Sequence, residues 1–183
     1  MPEFNYSLLK SHGDDVYISS NVEIKRPHLV TVGSHVAIDS YQYWTTQVTM
    51  GDFIHVAPMC TIIGGELAEL HMGNFVTIAA GSRIIVLGDG HNGFGLISPV
   101  IPEQYRDELV GGRVDLDDFV GLGTNAVIMP GVWIAKGVVV GANSLVTKDI
   151  REEWTIWAGS PARKIKDRRS DIMLRYAREL GYE

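Results

Sequence analysis

The residues able to do chemistry are few and unevenly placed. His91 lies in Gly88-Asp89-Gly90-His91-Asn92-Gly93, ahead of Ser98-Pro99-Val100-Ile101-Pro102. Imidazole, with a free pKa near 6.5, suits a general base at physiological pH, a role worth roughly 10²- to 10⁴-fold in rate. His55, in Phe53-Ile54-His55-Val56, is the rival. Asp89 and Glu103 have the chemistry to orient a histidine, and spacing selects neither. Further on, Lys148, Arg163 and Lys166 gather cations in a chain whose net charge is −6, a local chemistry suited to phosphates. The single cysteine, Cys60, excludes an intramolecular disulfide framework and multi-cysteine zinc ribbons, and a reducing cytosol is its natural home.

These residues need a scaffold. The 183 residues, 45% hydrophobic and 21% charged, fit one folded domain with at most an appendage. The acidic balance disfavours nucleic-acid and anionic-membrane partners, both of which call for a basic footprint. No apolar run is long enough to span a bilayer, and Met1-Pro2-Glu3-Phe4-Asn5 lacks the basic-then-apolar order of a signal peptide, so a cytoplasmic protein is expected.

The scaffold is written in a period of six. Leu116, Leu122, Ile128, Ile134, Val140 and Val146 are branched aliphatics in one frame, with Val120, Ala126, Val132, Val138, Ser144 and Ile150 as small or β-branched companions. Upstream the same frame reads Val32, Ile38, Trp44, Met50, Val56 and Ile62, then Met72, Ile78 and Ile84. A short strand plus a tight corner, recurring on the sides of a prism, gives this period. Three units make a coil, and coils stack at roughly 4.8 Å by backbone hydrogen bonds. The expectation is an all-β parallel solenoid of about six coils. His55 should face outward on a flat side, and Cys60 should be core. Trp44 is oversized for an inward site, so its coil, with Tyr41 and Tyr43, should be distorted. Asp115, Asp117 and Asp118 read as a solvated acidic edge.

The frame slips between Ile24 and Val32 and around Gly64-Gly65-Glu66, and it is interrupted from Gly88 to about Val114. Long structureless segments in a compact domain are usually functional, which directs attention to His91. After the repeat, Ser170 is a candidate N-cap for a helix with Ile172, Met173, Tyr176, Ala177 and Leu180 as its apolar face and Gly181 as its stop. That helix is expected to cap the last coil. The expected organisation is a solenoid domain over 1–166 and a helix over 167–183.

Ile128-Met129-Pro130-Gly131-Val132, Val140-Gly141-Ala142-Asn143-Ser144-Leu145-Val146-Thr147-Lys148-Asp149 and Ala158-Gly159-Ser160-Pro161-Ala162-Arg163 together resemble the C-terminal signature of the hexapeptide-repeat acyltransferases. The bacterial sugar O- and N-acetyltransferases, including galactoside O-acetyltransferases and enzymes of surface-polysaccharide synthesis, are most similar. The resemblance implies a left-handed β-helix, a homotrimer, and acetyl-CoA as co-substrate with no metal. It implies a sugar or nucleotide-linked sugar as acceptor. It places the catalytic histidine where the excursion begins, matching His91, although Asn92 follows where proline is usual. It carries coenzyme contacts onto Thr124, Ala142, Thr147, Lys148, Arg163 and Lys166. Threefold association would hide outward apolar residues such as Phe53, Phe75, Phe119 and Trp133. A substrate-assisted N-acetyltransferase with no protein base is the alternative. A non-catalytic solenoid and a γ-class carbonic anhydrase share the fold, but the latter uses two zinc-binding histidines five residues apart, and no two histidines here have that separation.

Overall fold

A branched aliphatic at every sixth residue demands burial, and the residues between must turn the chain onto the next side of a prism. The computed structural model, which describes residues 4–182, meets both demands with a parallel β-solenoid. Residues 1–3 and Glu183, the outer ends of the expected spans, lie outside the described residues. In one unit Gly121–Leu122 is the strand, Leu122 and Ala126 are buried, and Asn125 turns the corner at φ 58°. Asparagine tolerates this left-handed conformation better than most residues.

Three faces result. The first holds Ser11–His12, Val30–Val32, Gln47–Met50, Glu69–Met72, Arg113–Leu116 and Trp133–Ile134. The second begins at Val16–Ile18 and passes through Val36–Ile38, His55–Val56, Thr77–Ile78, Gly121–Leu122 and Val139–Val140 to Thr155–Gly159. The third runs from Glu23–Ile24 through Tyr43–Trp44, Thr61–Ile63, Arg83–Ile85 and Val127–Ile128 to Leu145–Val146. Six coils are complete and Thr155–Gly159 begins a seventh, whose open edge is covered by the antiparallel strand Ala162–Asp167.

Each insertion is looped out without loss of register. Ile18 pairs with Ile38, Met50 with Met72, and Met72 with Leu116, so the inward columns stay continuous. The long excursion leaves and returns through an antiparallel hairpin, Leu87–Asp89 with Leu109–Gly111. Inside, side chains such as Ile38, Val56, Ile78, Leu122 and Val140 are excluded from solvent, each contributing roughly 1.5 to 3 kcal/mol of burial. Cys60 is buried among them, and that burial pushes its thiol pKa up. Trp44, expected to distort its coil, stays in regular register between Ile24 and Ile62. Its indole N–H donates to Gln42 Oε1 at 3.3 Å, and the Gln42 amide donates to the carbonyls of Asp39 and Ala57. A buried glutamine thus satisfies the tryptophan's polar edge.

The corner between the first and second faces carries a stack of rings. His35 lies on Phe53 at 4.6 Å, Phe53 on Phe75 at 5.1 Å, and Phe75 on Phe119 at 4.9 Å, with Trp154 beyond. Threefold association is therefore not needed to hide Phe53, Phe75 and Phe119: they cover one another, and Tyr182 meets Phe53 and Phe75 edge-on. Beside the rings, Asp52 Oδ1 accepts the Ser34 amide, Asn74 Oδ1 the Asp52 amide, and Asp118 Oδ1 the Asn74 amide. The expected acidic edge is thus a set of acceptors. Asp117 takes the Trp133 indole N–H, and Asp115 takes Arg113.

Helix α1 (Asp171–Glu179) follows Ser170, whose side chain makes no cap bond, and ends before Gly181 at φ 89°. It does not cap the last coil, which the antiparallel strand already closes. Arg168 instead donates to the carbonyls of Phe119 and Gly137, and Tyr182 reaches the ring stack at Phe53 and Phe75. Met173 and Ala177 are sheltered, while Ile172, Tyr176 and Leu180 of the expected apolar face stay exposed.

Candidate active site

The final corner of the solenoid and the closing hairpin enclose a cleft of about 420 Å³. Thr147 and Lys148 enter it from the turn between Val146 and Ile150. Trp157, Pro161, Ala162 and Arg163 form the opposite wall. Asp149 lies here too, but its carboxylate is occupied: Oδ1 accepts the Trp133 amide at 3.0 Å and Oδ2 accepts Arg151 at 2.6 Å. Those bonds, the Trp133 amide first, hold its pKa below the usual carboxylate range.

The cations divide by their partners. Lys164 is paired with Glu152 and Asp167, Arg151 with Asp149, and Arg169 with Asp171. Lys148, Arg163 and Lys166 have no carboxylate partner among the described residues, and Arg163 spends only one N–H on the Ala162 carbonyl. Unpaired cations in an acidic protein keep their full attraction for an incoming anion. Lys148 and Arg163 line the cleft together, whereas Lys166 stands on the outer strand and is not part of its wall.

Thr124 and Ala142 occupy the same corner on successive coils, where the Asn143 amide donates to the Thr124 carbonyl at 2.8 Å. The stacking is close enough that a Cβ on Gly123 would stand 2.6 Å from the Ala142 nitrogen. Small residues therefore leave a smooth track along this corner, separate from the cleft wall that holds Thr147, Lys148 and Arg163.

His91 follows the outgoing hairpin strand at φ 55°, with its ring exposed and without a partner among the described residues. Neither proposed orienting carboxylate touches it. Asp89 faces Arg106 at 3.6 Å with one oxygen buried, and Glu103 is exposed in a short 3-10 turn, Glu103–Tyr105. The residue that holds the segment following His91 is Asp107, which sequence reasoning missed. It is buried, its Oδ2 accepts the amides of Asn92 and Gly93 at 2.8 and 3.1 Å, and its Oδ1 accepts that of Glu108. A lone carboxylate on the far arm of a loop carries no periodic signal, which is why spacing could not select it.

His55 stands on the second face, half-exposed, with Nε2 2.9 Å from Asp39 Oδ2. Among the described residues no group of three or more His, Cys, Asp or Glu side chains is arranged to hold a metal, and no helix is long and apolar enough to cross a membrane.

No protein-family model matches the chain. It is 26% identical over 167 residues to a dTDP-4-amino-4,6-dideoxy-D-glucose acyltransferase of Escherichia coli, covering 90% of this chain and 85% of that one. A protein of Escherichia coli K12 bearing the name of a lipopolysaccharide-biosynthesis O-acetyl transferase, WbbJ, is 30% identical over 158 residues, covering 82% and 74%. Among solved structures, AntD, an N-acyltransferase from Bacillus cereus in complex with dTDP and 3-hydroxybutyryl-CoA, superposes with a TM-score of 0.89 at 32% identity, covering 96% and 92% of the two chains. Another AntD structure holds dTDP-4-amino-4,6-dideoxyglucose and coenzyme A. With a third of its residues shared across nearly the whole fold, the chain belongs to the hexapeptide-repeat acyltransferase superfamily, whose left-handed β-helix it has, and is a coenzyme A-dependent acyltransferase.

Proposed function

We propose that the protein moves an acetyl group from acetyl-CoA to an amine or hydroxyl of a nucleotide-linked sugar, with His91 as general base. The observation that carries this reading is the set of unpaired cations. Lys148 and Arg163 face the cleft with Thr147, Lys166 adds charge farther along the strand that carries Arg163, and together they suit the coenzyme's phosphates. The pantetheine arm then follows the track at Ala142 and Thr124. In the transfer, the acceptor's lone pair attacks the thioester carbon, the new C–N or C–O bond forms, and the C–S bond breaks. His91 takes the acceptor's proton, and the coenzyme leaves as thiolate or thiol. The acceptor class follows the nucleotide-sugar ligand of AntD and the name of the dTDP-sugar relative.

The reading includes a homotrimer. Phe94 and Val100 of the excursion are 86% and 85% exposed and find no cover within the protomer, and a neighbouring copy would supply it. It also includes a cytoplasmic location, in keeping with one buried thiol and a coenzyme made inside the cell, and a place in surface-polysaccharide synthesis, suggested by the WbbJ relative. An exposed His91 with no orienting carboxylate gives weight to a second reading, in which an amine acceptor attacks without a protein base. Release of free thiol from acetyl-CoA with dTDP-4-amino-4,6-dideoxyglucose tests the proposal. Transfer to that acceptor, lost in His91→Ala, is expected. Full activity in the variant would favour the base-free route.

A further inference from the structure

The corner between the second and third faces changes character along the solenoid. In the fourth, fifth and sixth coils its left-handed position holds Gly81, Asn125 and Asn143, residues that adopt positive φ readily. In the second and third coils the same position holds Tyr41 and Met59, both at φ 63°. Large side chains are disfavoured there. Phe53, Phe75 and Phe119 accept that conformation at another corner, but their rings stack on one another. Tyr41 and Met59 have no such cover: they are 66% and 62% exposed, one above the other, with the Met59 amide donating to the Ser40 carbonyl.

Two polar features flank this apolar pair. Asp39 precedes the corner and holds His55 Nε2 at 2.9 Å, leaving Nδ1 without a partner among the described residues. One coil up, Arg83 Nη1 donates to the Gly81 carbonyl at 2.9 Å, so the guanidinium folds onto the same corner, where no described carboxylate pairs with it. The corner thus offers an apolar platform, a carboxylate-oriented imidazole and a free guanidinium. From Tyr41 to the coil of Arg83 is two coil spacings, about 10 Å. That span suits a base or sugar ring at one end and a diphosphate at the other. Thr124 and Ala142 continue the same line, so a coenzyme laid along that track brings its acyl end down towards this cluster.

Resting on the acyl-acceptor reading above, we infer that Tyr41, Met59, the His55–Asp39 pair and Arg83 form the acceptor subsite, and that it binds a nucleotide-linked sugar. The ring faces pack on Tyr41 and Met59, hydroxyls bond to Asp39 and His55, and Arg83 takes the diphosphate. His55 is here a binding residue.

The test uses the full chain, with Arg83→Gln and Tyr41→Asn, the latter chosen because asparagine keeps the left-handed corner. Calorimetry with dTDP, and kinetics with dTDP-4-amino-4,6-dideoxyglucose and acetyl-CoA, are read side by side. Loss of charge-assisted contacts should raise the dTDP dissociation constant and the acceptor KM about tenfold or more in Arg83→Gln. Tyr41→Asn should raise the acceptor KM, while the KM for acetyl-CoA stays within about twofold and the mass by light scattering is unchanged. Unchanged acceptor constants in both variants would overturn the subsite while leaving the acceptor reading intact. So would a fall in mass in Tyr41→Asn, which would make the corner a subunit contact. A wild-type protein that binds dTDP at this corner but transfers nothing would overturn the acceptor reading alone, and one that does neither would overturn both.

Discussion

The phenol of Tyr182 donates to Asp52 Oδ2 at 2.6 Å, joining the end of the chain to the third coil across 130 residues of sequence. The bond, with the Ser34 amide behind it, holds the Asp52 carboxyl below its ordinary range. A carboxyl depressed in the folded state stabilises above its unfolded pKa, near 4, and that contribution is lost as pH falls through the folded value. Tyr182→Phe should lower the melting midpoint by a few degrees at neutral pH, and by less below about pH 3. Midpoints that are equal at pH 7 would show that the ring stack alone holds the tail.

Lys148→Ala combined with Arg163→Ala should raise the KM for acetyl-CoA on the order of 100-fold or more, since charge-assisted contacts to phosphate are worth roughly 1.5 to 3 kcal/mol each and two are lost. Turnover at saturation should change little, and the salt dependence of KM should flatten. Lys164→Ala is the control: its ammonium is already engaged by Glu152 and Asp167, so steady-state kinetics should stay near wild type.

His91→Ala should lower kcat by about 10²- to 10⁴-fold with coenzyme affinity intact, because the lost interaction belongs to the transition state. The wild-type rate should fall on acidification, as a protonated imidazole is no base, and that limb should be missing from the variant's pH profile. Near wild-type turnover would remove His91 from the mechanism.

Asp107→Ala frees three backbone amides at the base of the excursion. The solenoid should keep its melting midpoint within a few degrees, since the hairpin lies outside the stacked coils, while kcat drops about tenfold as His91 loses its placement. Limited proteolysis between Phe94 and Tyr105 should accelerate. Unchanged cleavage and turnover would mean that the bonds to Asn92 and Gly93 are incidental.

Light scattering at micromolar concentration should give the mass of three 20.2 kDa chains. A single-chain mass would remove the trimer from the proposed function.

The solenoid was legible because its inward positions admit few residue types: Leu116, Leu122 and Ile128 announce a period that any coil must obey. Trp44 shows the limit, since its fit depends on Gln42, whose inward amide no apolar pattern reports. The ring corner was illegible for a different reason. Phenylalanine is a poor choice for positive φ, so Phe53, Phe75 and Phe119 read as outward side chains until stacking between coils is known. The path of helix α1 was hidden likewise, because Tyr182 and Asp52 are neighbours only in space. For the site, Thr147, Lys148 and Arg163 were visible through the signature and do converge on one cleft, whereas Lys166 stands off it. Asp107 acts through backbone amides on the opposite arm of a hairpin, a relation that spacing does not encode.

Met72 hydrogen-bonds into register with Leu116 as though nothing stood between them. The junction therefore behaves like a splice. Residues can be gained or lost between Gly88 and Val114 without displacing Thr124, Thr147 or Lys148 by a single position, and without exposing one inward side chain. Mutation can rewrite the excursion, and with it the surroundings of His91, while Thr147, Lys148 and Arg163 keep their places around the cleft. A scaffold with this indexing can revise its inserted loop far faster than its coils.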